Sequence, residues 1–208
     1  MTATFINSFI LFFVTIDTIG NLPFFLSLTE GAKIKKRNQI AIKSIIIAFF
    51  IMITFAYLGR YLLEAIHVSL DSLKIAGGVI LMLLAIDILF EKRKIRREKR
   101  VEEALDEKIF EEIIVFPIAF PFIAGPSALT TIILLIGNYT NFPEFQIPVI
   151  LALVAALIVS LLLMIGANFI IKYIPQQIFH ATARVMAFIL AALATQFIID
   201  GIKTSFNI

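Results

Sequence analysis

Gly20-Asn21-Leu22-Pro23 interrupts an apolar stretch that runs from Phe5 to Leu28, and Ala124-Gly125-Pro126-Ser127 interrupts a second, from Ile113 to Gly137. At about 1.5 Å per helical residue, each stretch is long enough to cross a hydrocarbon core of about 30 Å. Pro lacks a backbone donor and Gly tolerates non-helical angles, so a helix is expected to break at both places, with Pro23, Pro121 and Pro126 as the breakers. Inside a bilayer, irregular backbone survives only where protein or a water-filled cavity satisfies its polar groups. A matched pair of Gly/Pro-interrupted spans in two halves of a chain therefore points to a binding site between them.

The rest of the chain fits a membrane setting. Its 208 residues are 60% hydrophobic and only 16% charged, and its mean hydropathy is +0.99. Soluble domains carry about 25% charged residues. Cysteine is absent and the two histidines, His67 and His180, fall in expected loops, so no Cys/His metal cluster and no thiol chemistry is expected. The phosphate-binding pattern GxxxxGK[ST] is missing, so no cofactor is expected and nucleotide hydrolysis is not expected to drive anything in this chain. Nothing in the sequence points to nucleic acid. No Lys or Arg precedes Lys33, so the first span reads as retained rather than as a cleaved signal.

Hydropathy places six helices over roughly residues 5–28, 40–64, 72–90, 113–137, 147–171 and 182–202. The fold class is thus an all-α membrane protein of six spans, with the first and fourth broken near the midplane. Of the 18 basic residues, only Arg60, Lys74 and Lys203 fall on one side of this arrangement. The others crowd loops 29–39, 91–112 and 172–181 or their edges, which makes those loops cytoplasmic and puts both termini outside. The linker 91–112 carries basic residues first and acidic residues later. It reads as a solvated connection, with Lys92–Arg100 placed to meet anionic lipid headgroups.

The linker divides the chain into 1–90 and 113–208, each with three spans. An odd number of spans reverses orientation, so equivalent halves form an inverted repeat. Ala76-Gly77-Gly78-Val79-Ile80-Leu81 aligns with Val185-Met186-Ala187-Phe188-Ile189-Leu190, and in that register Asp87 meets Gln196. The two broken helices correspond, with Gly20 near Gly125.

In such a repeat, the second halves of the broken helices both start at the midplane, and their free N–H groups and positive dipole ends converge on a site suited to a carboxylate. Asn21 and Ser127 are suited to cap those starts. Ser127, Thr130 and Thr131 share a helix face and can add hydroxyls. Asp17 lies near mid-bilayer, where an ionised carboxylate costs about 2.5–3.5 kcal/mol on insertion scales and so needs a partner, water or a proton. The sequence therefore nominates Gly20, Asn21, Gly125, Pro126, Ser127, Thr130 and Thr131 for substrate, and Asp17, Asp87 and Gln196 for a coupling ion, H⁺ or Na⁺.

Asp17-Thr18-Ile19-Gly20-Asn21-Leu22-Pro23-Phe24-Phe25, Ala76-Gly77-Gly78 with Ala85-Ile86-Asp87, Phe116-Pro117 through Ala124-Gly125-Pro126, and Gln196-Phe197-Ile198-Ile199-Asp200-Gly201 together resemble the MarC family of small bacterial and archaeal membrane proteins. Thr18 departs from the family pattern, where Pro follows the Asp, and Ser127 stands where Gly is common. The resemblance implies a six-helix inner-membrane protein, and for some members ion-driven transport of small neutral amino acids such as glycine and alanine.

The combined expectation is a secondary transporter for small zwitterions, with one three-helix half, or part of it, rocking against the other. A passive channel, an export pore and a structural membrane protein are the alternatives. An aspartyl protease built on Asp17 and Asp87 is disfavoured, because one acid is mid-membrane, the other is near a helix end, and no GxGD occurs. Small residues such as Ala152, Ala155, Ala156 and Ser160 suit helix–helix contact, within the chain or in a homo-oligomer.

Overall fold

The computed structural model describes residues 1–29, 31–89, 110–139, 142–171 and 176–206, and among these it is entirely helices and turns. The charged linker therefore lies outside the described residues except for its last three, as does the expected headgroup contact at Lys92–Arg100. The helices are α1 (Thr2–Ile16), α2 (Thr18–Leu28), α3 (Ile34–Ala65), α4 (Leu70–Leu89), α5 (Pro126–Asn138), α6 (Pro143–Ile171) and α7 (Gln176–Phe206). A distorted segment, Ile114–Ile123, precedes α5.

Four helical stretches are long and apolar enough to cross a membrane: Thr2–Leu22, Ile34–Ala65, Pro143–Ala167 and Ala187–Phe206. Phe110–Ile123 and Pro126–Gly137 meet at 60° and together are long and apolar enough for a fifth, as a broken span or a re-entrant loop. The expected third span, 72–90, coincides with α4, which is not among these. Large apolar side chains such as Ile10, Val14, Phe50, Leu151, Leu162 and Phe188 stand exposed on the outer helices. An apolar exterior of this extent suits lipid rather than water.

The two halves interlock instead of lying side by side. α1 packs on α6, Ile114–Ile123 and α5 pack on α3, α3 packs on α6, and α2 packs on α6. α5 sits at the centre, with Ala128, Leu129, Ile132, Ile133 and Ile136 all buried. The most extensive pairing is α4 with α7, and this pair touches the other elements mainly through α2 and α5.

α4 and α7 run antiparallel at close range. A Cβ on Gly78 would fall 2.7 Å from the carbonyl oxygen of Ala194, and one on Gly201 would fall 2.8 Å from that of Asp71. Only glycine permits that backbone approach. A Cβ on Gly77 would collide with the ring of Pro126, so α4 also leans on the first turn of α5.

Candidate functional site

The first break occurs at Asp17, not at Gly20-Asn21-Leu22-Pro23 as the sequence suggested. Asp17 adopts the left-handed conformation (φ 45°, ψ 51°), ends α1 and serves as N-cap of α2. Asp is among the few non-glycine residues that enter that region readily, because its short side chain bonds locally. Here Asp17 Oδ1 accepts the Gly20 N–H at 3.2 Å. A Cβ on Gly20 would run into that carboxylate, so Gly20 makes room for the cap. Pro23 falls inside α2, whose backbone runs unbroken past it.

The second break is longer than the Ala124–Ser127 turn. Phe116 (φ −126°, ψ 121°) and Phe120 (φ −135°, ψ 129°) are extended, and the Phe116–Pro117 and Phe120–Pro121 bonds are cis. Pro117 and Pro121 supply no N–H, so neither can continue a helical ladder. Ser44 on α3 donates to the Ile114 carbonyl at 3.0 Å and pins the start of the segment. α5 then begins with Gly125 as N-cap and Pro126 in the first helical position, where a missing N–H costs nothing. The capping roles expected of Asn21 and Ser127 thus belong to Asp17 and Gly125. The two half-helices thus start at Asp17 and Gly125, where the sequence set Gly20 near Gly125.

Asn21 does something the sequence did not suggest. Its Nδ2 donates to the Ile16 carbonyl at 2.8 Å and to the Phe122 carbonyl at 3.0 Å. Both partners can only accept, so the amide orientation is fixed, and Oδ1 is the atom left for other ligands. The Phe24 and Phe122 rings lie 5.7 Å apart and reinforce the same junction.

A cavity of about 220 Å³ opens between the two breaks. The break segments line it with Asp17, Asn21, Gly125 and Ser127 and with the apolar Val14, Ile16, Pro121 and Phe122, and Leu81 from α4 with Leu190, Leu193 and Phe197 from α7 complete an apolar remainder. Four of the nominated substrate and ion residues thus meet on one cavity: Asp17, Asn21, Gly125 and Ser127.

Of the other nominated residues, Gly20, Pro126, Thr130, Thr131 and Gln196 are not part of the lining. Gly20 lies under the Asp17 carboxylate, and Pro126 lies against Gly77. Thr131 is half-buried on α5. Thr130 Oγ1 is buried without a hydrogen-bond partner among the described residues. Gln196 is exposed and donates to Asp200 Oδ1 on its own helix at 2.7 Å. Asp87 is described only as backbone in α4.

The two half-helix starts differ in polarity. Asp17 covers the N-terminus of α2 with its own carboxylate. Among the described residues no side chain caps α5, so the dipole and first-turn N–H groups at Ser127 and Ala128 are left to whatever occupies that end. One end of the site accepts hydrogen bonds, and the other donates them.

Each half-helix is also clamped at its far end. Arg37, in the first turns of α3, is buried and donates from Nε to Thr29 Oγ1 at 3.0 Å and from Nη2 to the Thr29 carbonyl at 3.1 Å. Thr29 is the C-cap of α2, where a cation also complements the helix dipole. In the first turn of α6, Gln146 Nε2 donates to the carbonyl of Tyr139, the C-cap of α5, at 3.0 Å.

Residues 2–206 match the family described as MarC family integral membrane protein. The chain is 36% identical to a UPF0056 membrane protein of Archaeoglobus fulgidus, over 95% of this chain and 92% of that one. It is 32% identical to a UPF0056 membrane protein of Methanocaldococcus jannaschii, over 96% of each. It is 28% identical to the UPF0056 inner membrane protein YhgN of Escherichia coli K12, over 95% of each. No solved structure matches the chain.

Proposed function

The chain belongs to the MarC family of integral membrane proteins, and we propose that it is an ion-gradient-coupled secondary transporter of small neutral amino acids of the glycine and alanine class. The observation that carries this reading is the meeting of two helix breaks at one cavity, with a carboxylate at one end and an uncapped helix N-terminus at the other. A zwitterion has the complementary pair of charges. Its carboxylate goes to the first turn of α5 beside Ser127, since the start of α2 is already taken by Asp17. Its ammonium, or the coupling H⁺ or Na⁺, goes to Asp17 and Asn21 Oδ1. The cavity of about 220 Å³ lies below the roughly 300–1,000 Å³ of drug-sized sites and holds on the order of seven waters.

In this reading the chain is an inverted repeat of six spans with both termini outside. The register that puts Ala76 on Val185 supports it, because it also puts Ile34, the start of α3, on Pro143, the start of α6. The same register puts Arg37 on Gln146, the two clamp residues, and Asp17 within one residue of Gly125. The pairings are those an exchange of halves requires: α1–α6 answers Ile114–Ile123 with α3, and α2–α6 answers α5–α3. Access alternates as the part of each half that stands apart, α4 and α7, rocks as a pair against the remainder.

Uptake of labelled glycine and alanine by the reconstituted protein under imposed pH or Na⁺ gradients tests the function. Large unitary currents without gradient-driven accumulation would identify a pore instead.

A further inference from the structure

The cavity between the breaks has two unlike walls, and they come from different parts of the fold. The break segments supply every polar side chain of the lining, Asp17, Asn21 and Ser127 among them, beside the apolar Val14, Ile16 and Phe122. The α4–α7 side carries Leu81, Leu190, Leu193 and Phe197. Hydrogen-bonding groups fix a ligand's polar end, and an apolar wall judges what remains of it. We propose that the α4–α7 wall is the specificity filter of the carrier, and that Leu193 and Phe197 set the upper size of the amino-acid side chain it accepts. The assignment rests on the carrier reading and extends it to a named subsite.

Three features support it. With its ammonium at Asp17 and its carboxylate at α5, a bound amino acid has both polar groups on the break segments, and α4–α7 is the part of the lining that offers only apolar side chains to what remains of it. The wall is held at a fixed spacing, because the backbones of α4 and α7 meet at Gly78 and Gly201 with no room for a Cβ. Trimming a wall side chain therefore enlarges the cavity and does not draw the helices together. Leu81 and Leu190 are buried in the core, whereas Leu193 and Phe197 are only partly buried. The second pair is thus free to vary with least damage to packing.

The test is displacement of labelled alanine from the full-length protein in lipid nanodiscs by glycine, alanine, valine and leucine. One extra or missing methylene in an apolar pocket changes discrimination by about 10–200-fold. In Leu193→Ala and Phe197→Ala, valine and leucine are expected to gain at least about tenfold relative to alanine. Leu193→Phe is the opposite test, expected to lose alanine before glycine. Ser127→Ala, on the polar side, is expected to leave the order of the four ligands unchanged. Retained binding of labelled alanine, or of labelled glycine in Leu193→Phe, shows that a variant is folded. An unchanged ligand order in all three wall variants overturns the filter while leaving the carrier intact. A wild-type protein that binds none of the four overturns the carrier reading and the filter with it.

Discussion

Asn21 Nδ2 lies 3.0 Å from the carbonyl oxygen of Phe122, 101 residues further along the chain, so one carboxamide joins the first helix break to the second. Its other hydrogen goes to the Ile16 carbonyl, the last residue of α1. The walls of the cavity are therefore held at their polar side by a buried side chain with no spare donor.

Replacing Asn21 by Leu leaves two carbonyls without a donor, and a buried polar group left unsatisfied costs about 1–3 kcal/mol. Asn21→Leu should lower the stability of the detergent-purified protein by about that amount in a denaturant or thermal titration. Asn21→Asp, which keeps the shape but offers only acceptors while ionised, should be no better. A variant as stable as wild type would show that the bond does not hold the breaks together.

Gly78 and Gly166 give opposite expectations for the same substitution. Gly78→Ala drives a methyl group toward the backbone of Ala194, which cannot swing aside, and overpacking costs about 1–3 kcal/mol. Around Gly166, within α6, nothing among the described residues outside its own helix backbone stands within 4 Å of a new Cβ. Gly166→Ala should stabilise by up to about 1 kcal/mol through helix propensity alone. Melting temperatures of the two variants in one detergent check both signs.

Arg37 and Gln146 each bond the C-cap of the half-helix before them but differ in charge. Hydrogen bonds to charged groups contribute about 1.5–3 kcal/mol, and neutral ones about 0.5–1.5 kcal/mol. Arg37→Ala should therefore destabilise the protein more than Gln146→Ala. Arg37→Lys should not restore it, because a point ammonium cannot reproduce the two-pronged contact with Thr29. Equal losses at the two sites would contradict the unequal clamp strengths.

The absence of cysteine makes the orientation easy to test. Lys35 and Glu64 sit near opposite ends of α3, and both are exposed. In intact cells, a membrane-impermeant thiol reagent should label Glu64→Cys and leave Lys35→Cys unlabelled until the membrane is opened. The reverse pattern would invert the topology.

Much of this architecture is legible in the sequence, and its failures have physical causes. Apolar length and loop charge locate the helices, and Gly and Pro mark two spans as broken. The exact break in the first span was hidden because Asp17 supplies both the left-handed turn and the cap, a role that glycine more often fills. Pro23 misled, since a membrane helix tolerates one lost donor. In the second span the disruption extends back to Phe116, where Pro117 and Pro121 withhold consecutive turns of bonding. Asn21 was visible as polar, but its bonds to Ile16 and Phe122 depend on tertiary approach. Arg37 looked like one more loop cation. Its signal was positional: it stands in the first turns of the helix that follows a half-helix, as Gln146 does in the other half. The apolar wall of the cavity carried no sequence mark at all, because leucine and phenylalanine are everywhere in this chain.

The most direct measurement is gradient-driven uptake of labelled glycine and alanine into proteoliposomes, comparing wild type with Asp17→Asn. The substitution keeps a side chain able to cap α2 but removes the charge that meets the ammonium or coupling ion. Accumulation that follows the imposed H⁺ or Na⁺ gradient in wild type, and is abolished or uncoupled in Asp17→Asn, is the expected result. Uptake by Asp17→Asn with unchanged rate and unchanged dependence on the gradient would contradict a coupling site at the first break.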